Sequence, residues 1–125
     1  MKPRRIRLSR TKGFRLQLAS RALNGLAACN CARPGKWGNP YRADPAYADD
    51  YCRMAVAIHR DHIENALANW PSMREALAEL AGHNLACWCR LCEAHAAGKP
   101  LGITCEACAP CHADTLLELA NPQEA

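Results

Sequence analysis

Apolar and basic residues alternate in R-R-I-R-L-S-R at 4–10, with Ile6 and Leu8 on one face, which predicts a short strand. T-K-G-F-R-L-Q follows, with Gly13 as a turn. L-A-A-C-N-C at 26–31 reads as a second, buried strand weakened by its alanines. The stretch A-R-P-G-K-W-G-N-P-Y at 32–41 is too rich in Pro and Gly for regular structure and is a loop. The pattern then changes period. Tyr51, Ala55, Ile58, His62 and Ala66 recur at helical spacing, with Cys52, His59 and Ile63 alongside. Asp44 as N-cap, Pro45 at the first helical position and Asp49 and Asp50 early in the helix suit its start, and Pro71 ends it. S-M-R-E-A-L-A-E-L-A-G opens a further helix, with Ser72 and Glu75 spaced as a capping box and Gly82 at its end. L-A-C-W-C at 85–89 is a strand, and A-D-T-L-L-E-L-A at 113–120 a closing helix.

Strands alternating with helices make this an α/β protein: one small domain over residues 1–125, with a short central sheet flanked by helices. The length suffices for a core of its own. Half of the residues are apolar, but many are alanine and few aromatic, so something besides packing is expected to help hold the fold. No stretch approaches the roughly 18 apolar residues of a membrane span, and no signal peptide opens the chain. A cytoplasmic protein is therefore expected, with reduced thiols. Nine cysteines there point to metal binding or chemistry rather than disulfides.

Charge is unevenly spread. Residues 1–43 carry eleven Lys/Arg and no acid, a charge of +11, whereas the other 82 residues sum to −7. A basic third of this kind fits a phosphate-bearing partner, either a small molecule or a nucleic acid. It equally fits a basic segment pairing with acidic helices.

The cysteines separate by spacing. Cys105 and Cys108 form a C-x-x-C knuckle, and two upstream pairs can complete a tetrahedral zinc site. Cys92 with His95 gives a Cys3His set, and Cys89 with Cys92 a four-cysteine set. The C-x-x-C repeat favours Cys89 as fourth ligand. A loop at 90–110 that carries all its own ligands favours His95, and Cys92, His95, Cys105 and Cys108 is the preferred set for a structural zinc. Cys87, Cys89, Cys111, His112 and Asp114 remain. Cys111 and His112 precede a helix N-terminus, where free N–H groups favour a thiolate. If the zinc loop returns on itself, Cys111 comes back near Cys89. The residues then form either a catalytic cluster of Cys111, His112 and Asp114, with His112 as general acid/base, or small core side chains beside a helix-capping acid. In the 32–41 loop, Arg33 and Lys36 bring charge, Gly38 close backbone approach, Trp37 a stacking face and Asn39 a bidentate amide. They can hold a phosphate and a base. The plainer alternative is a structural loop with Trp37 plugging the core. His59 and His62 share a helix face and are expected to be ordinary, partly buried histidines. Cys29, Cys31 and Cys52 are expected in or near the core.

These motifs resemble those of the family called domain of unknown function 4326 over nearly the whole chain. The likeness rests on Arg10, Lys12 and Gly13, then R-P-G-K-W-G-N-P (Arg33 to Pro40), L-A-C-W-C (Leu85 to Cys89) and C-H-A-D-T-L-L-E-L-A-N (Cys111 to Asn121). The resemblance implies a small α/β domain, met in phage and mobile-element settings, with no established activity. Family members usually join C-W-C to C-H-A-D by a few residues, so the resemblance also implies that 90–110 is an insertion and that Cys89 belongs to the common core. This is the main reason to prefer His95. Two functional classes follow: a nucleotide- or nucleobase-type ligand site with hydrolase or transferase chemistry, or a non-enzymatic, zinc-stabilised nucleic-acid-binding module. A zinc loop serving as a protein-docking knob is a third.

Overall fold

Four strands and four helices follow one another in the computed structural model, which describes residues 2–41 and 48–122, and the side chains of these except 48–51. The expected helix start at Asp44 and Pro45, and the side chains of Asp49, Asp50 and Tyr51, lie outside the described residues. The elements are β1 (Arg4–Arg7), α1 (Leu16–Asn24), β2 (Ala28–Asn30), α2 (Ala48–Asn69), α3 (Pro71–Ala78), β3 (Asn84–Cys87), β4 (Lys99–Pro100) and α4 (His112–Ala120). The sheet order is β2-β3-β1-β4. β3 runs parallel to both β2 and β1, and β4 runs antiparallel to β1. Parallel neighbours require crossovers, which α1 and the α2–α3 pair provide. Helix α4 lies against β1 and β3, with α2 and α3 packed on it. The core between these layers holds Ile6, Leu8, Leu77, Leu80, Leu85, Leu101, Leu116 and Leu117. The fold is the expected small α/β domain, and its sheet is mixed.

Three local features differ from the sequence expectation. Helix α1 was not anticipated. Its inward face mixes Leu16 and Leu23, packed on the core, with the buried polar Ser20 and Asn24. Gly25 closes it in the left-handed conformation (φ 81°), its N–H donating to the Arg21 carbonyl at 2.8 Å. The Ser72–Glu75 capping box does not form. Trp70 is the N-cap and Pro71 opens α3, because proline already has the helical φ and lacks the N–H that a cap would satisfy. Ser72 therefore lies inside the first turn. Finally, the segment 90–110 adds to the sheet: β4 pairs with β1, and Leu101 is buried in the core.

The polar face of α1 meets the start of β3. Asn84 is fully buried; its amide donates to Ser20 Oγ at 2.7 Å and Asn24 Oδ1 at 2.8 Å. Its Oδ1 accepts from the Arg4 backbone N–H and Asn24 Nδ2, each at 2.9 Å. Every hydrogen-bonding position of this amide has a partner, so it locks α1, β1 and β3 together. Asn84→Ala takes the partner from the Arg4 N–H and from one N–H of the Asn24 amide, and is expected to lower unfolding free energy by about 2–4 kcal/mol in chemical denaturation. A change below about 0.5 kcal/mol would mean that the network contributes little.

Candidate metal centres and pocket

The chain passes from β3 into C-W-C, leaves at Arg90, and returns through Pro110 to the N-terminus of α4. The two necks of this excursion touch: the Ala109 N–H donates to the Arg90 carbonyl at 2.9 Å, and Arg90 Nη1 donates to the Ala107 carbonyl at 2.6 Å. Above them, a single 3-10 turn at Glu93–His95 brings His95 back over Cys92. Cys92 Sγ lies 3.3 Å from His95 Nδ1 and 3.9 Å from Cys105 Sγ, and Cys108 Sγ lies 3.6 Å from His95 Nδ1. All four ligand atoms fall within 4.8 Å of one another. Bonds of about 2.3 Å to sulfur and 2.0 Å to nitrogen imply tetrahedral S···S edges of roughly 3.8 Å and S···N edges of roughly 3.5 Å. The four side chains fit such an ion and can hold a metal. The Cys105 thiol is held down to about 6, first by a backbone hydrogen bond from Cys108, which favours the thiolate a metal needs. Burial pushes Cys108 up, and the Cys92 N–H donates to its sulfur at 3.3 Å.

Cys89 is not in this set. It belongs to a second cluster with Cys87 and Cys111, whose sulfurs also lie within 4.8 Å of one another. Cys87 and Cys89 share one side of the chain with their sulfurs 3.8 Å apart. Cys111 is the N-cap residue of α4. The three thiols divide their acidity unevenly. Hydrogen bonds from Cys111 and then Cys89 pull the Cys87 thiol well down. For Cys89 a hydrogen bond from Cys111 acts in the same direction, but Cys87 and burial outweigh it and push the thiol up to about 11. Cys111 is pushed up by Cys87, Cys89 and burial.

Beside this cluster stands Arg5, only 1 % exposed on the central strand. Its Nη1 donates to Asp114 Oδ2 at 2.7 Å and its Nη2 to the Arg90 carbonyl at 2.9 Å. Burial acts against its charge, but Cys111 and Asp114 outweigh that and raise its pKa. Lys99 of β4 reaches the other Asp114 oxygen at 3.2 Å. Asp114 thus ties β1, β4 and α4 together. It lines a separate cleft, alongside Arg5 and Lys99, and does not meet His112 in one pocket.

A cavity of about 360 Å³ does unite the two segments singled out in the sequence: Arg33 and Asn39 line it from one side, Cys87, Cys89, Cys111 and His112 from the other. Arg10, Tyr41 and Trp88 complete its rim. His112 Nε2 sits 2.7 Å from the Cys31 carbonyl, so this nitrogen carries the proton and Nδ1 faces Cys111 Sγ at 3.9 Å. The rest of the 32–41 loop is structural in its placement. Trp37 is half-buried and packs on the core, with Lys36 over its ring at 5.4 Å. A Cβ at Gly38 would stand 2.8 Å from the Arg33 Cα, so only glycine allows that approach. Asn39 donates to the Ala55 carbonyl at 3.2 Å and accepts from the Tyr41 N–H at 2.9 Å, pinning the loop to α2. Residues not anticipated here are Arg5, Arg10, Tyr41, Trp88 and Lys99. An aromatic inside C-W-C was the one available signal, for Trp88; nothing local marks Arg5, whose partner Asp114 lies 109 positions away.

His59 of α2 is buried, its ring 5.3 Å from that of His112, and its Nδ1 has no partner among the described residues. Burial first, then the neighbouring His112 and His62, lower its pKa from 6.5 to about 4. The folded state therefore binds this proton less readily than the unfolded chain. Stability is unaffected above about 6.5 and declines as pH falls from there towards 4, by of order 2–3 kcal/mol for this group. Denaturation of wild type and His59→Phe across that range checks this. The variant is expected to lose less stability on acidification, and parallel pH profiles would contradict the assignment.

The model of the family described as Domain of unknown function (DUF4326) matches residues 15–122. No curated protein and no solved structure matches the chain. That match takes in C-W-C, C-H-A-D and the 33–40 loop, and the chain belongs to the DUF4326 family.

Proposed function

We propose that this is a zinc-clasped α/β domain that binds a nucleotide-type, phosphate-bearing small ligand in the cavity between the Arg33 loop and the start of α4. The observation that supports it is the shared cavity itself, lined by Arg33 and Arg10 as well as by Cys111 and His112. Its volume of about 360 Å³ falls in the range of small-molecule sites. Arg33 is exposed and supplies a fixed charge for phosphate. Trp88 is 43 % exposed, and Arg10 lies over its ring at 5.0 Å, so the rim offers an aromatic face with a cation beside it. Asn39 and Gly38 serve this site by shaping the loop, and Lys36 and Trp37 by anchoring it. His112 is the candidate acid/base, with Cys111 next to it. Asp114 acts at a distance by fixing the helix start. Hydrolysis or transfer at a phosphate or glycosidic bond is the reaction class that such a site suits.

In this reading zinc is structural, held by Cys92, His95, Cys105 and Cys108, and the protein works in a reducing, cytoplasmic setting. All nine cysteines are free thiols in the structure. No described helix is long and apolar enough to cross a membrane.

Two experiments test the proposal. Metal analysis of Cys105→Ser and His95→Ala should show loss of one zinc relative to wild type, with a lower melting temperature; unchanged zinc in His95→Ala would remove His95 from the ligand set. For the ligand, titrations with AMP, ribose 5-phosphate and adenosine, followed by tryptophan fluorescence, should show binding of the two phosphate compounds. Arg33→Glu should weaken both by about tenfold or more, equivalent to about 1.4 kcal/mol. Tight, strongly salt-dependent binding of arbitrary duplex DNA, with no response to AMP, would favour the non-enzymatic nucleic-acid-binding alternative.

A further inference from the structure

We propose a second metal site, formed by Cys87, Cys89 and Cys111, whose fourth coordination position faces the cavity. It is separate from the clasp and does not depend on the nucleotide reading. Three observations carry it.

The first is geometric. The three sulfurs lie within 4.8 Å of one another, and Cys87 and Cys89 are 3.8 Å apart. That matches the roughly 3.8 Å edge of a tetrahedral zinc–thiolate centre and is far from the roughly 2.05 Å of a disulfide. The second is charge. Arg5 and Lys99 are both buried and both pair with the single carboxylate of Asp114. Arg5 also acts electrostatically on Cys111 and Cys89, and its Nε is buried with no hydrogen-bond partner among the described residues. A divalent ion with three thiolates carries one net negative charge, which this guanidinium offsets. The third is access. Cys87, Cys89, Cys111 and His112 all line the cavity, so an ion on the sulfurs meets solvent on that side. His112 is outside the three-sulfur set. Its Nε2–H is spent on the Cys31 carbonyl, and its Nδ1 lone pair stands beside Cys111, placed to accept a hydrogen bond from a water on the ion.

Three protein ligands and one exchangeable position is the arrangement of zinc sites that handle substrate, whereas four protein ligands make a closed brace. The chain would therefore carry one of each, separated by the two-residue necks Arg90-Leu91 and Ala109-Pro110. The class of ligand expected at the open position is a small oxygen or nitrogen donor: water, an anion, or a donor atom of the molecule in the cavity.

The test begins with wild-type protein, which needs no variant to fold. Purified under reducing conditions with zinc, it should hold about two zinc ions per chain, and about one after Cys89→Ser or after Cys92→Ser. A wild-type content of about one that Cys89→Ser leaves unchanged and Cys92→Ser abolishes would overturn the proposal. The open position has its own readout. Cys92→Ser protein loaded with Co2+ should show thiolate-to-cobalt charge-transfer absorption. Adding azide should shift its visible d–d bands, while Cys89→Ser protein, keeping only the clasp, should not respond. Absence of the charge-transfer band in Cys92→Ser, or indifference to azide, would sink the exchangeable site whatever the outcome of the nucleotide titrations.

Discussion

The buried guanidinium of Arg5 is the constraint on which the rest of the structure leans. It sits on the central strand, inside the fold, where an unpaired charge would be very costly. Everything that compensates it comes from elsewhere in the chain: Asp114 from the first turn of α4, the Arg90 carbonyl from the exit of the 90–110 segment, and the thiols between them. Asp114 then binds Lys99, which fixes β4. One charge thus specifies where α4 starts, where the 90–110 segment leaves and where it rejoins the sheet. Such networks are weak sources of net stability but effective at excluding alternative packings, because any other arrangement strands a charge.

Next to that charge the cysteines divide by position. Cys92, Cys105 and Cys108 gather with His95 beyond the necks, whereas Cys87, Cys89 and Cys111 gather beneath them, at the end of β3 and just before α4. The division answers the ambiguity of C-W-C-R-L-C, in which Cys89 can pair forwards or backwards. Backward pairing wins because Cys87 and Cys89 fall on one side of the chain and Cys111 is delivered to them by the helix it caps.

Much of this was legible in the sequence where a pattern has a short range. The knuckle spacing pointed to Cys92, Cys105 and Cys108, and the family resemblance, more than the spacing, to His95 over Cys89; helical periodicity pointed to α2, and proline and glycine to the 32–41 loop. What was not legible depends on partners far apart. α1 buries Ser20 and Asn24 because Asn84, sixty or more positions on, receives them, and periodicity of apolar residues is blind to that. β4 is too short to have a pattern. The strand alternation placed Ile6 and Leu8 inside and left Arg5 out, yet Arg5 is buried too, held by Asp114 and the Arg90 carbonyl. Around the cavity, the loop tryptophan was the expected stacking face, but Trp37 packs on the core and Trp88 of C-W-C lines the cavity instead.

β4 has a consequence for how copies of the domain coexist at high concentration. It covers one side of β1 with two residues, and the second is Pro100, which has no N–H to offer an incoming strand. A neighbouring molecule seeking to extend the sheet there finds a template that stops almost where it starts. The strand carrying Arg5 is thereby shielded from edge-to-edge aggregation, and removing the 90–110 segment would expose it along with the charge it bears.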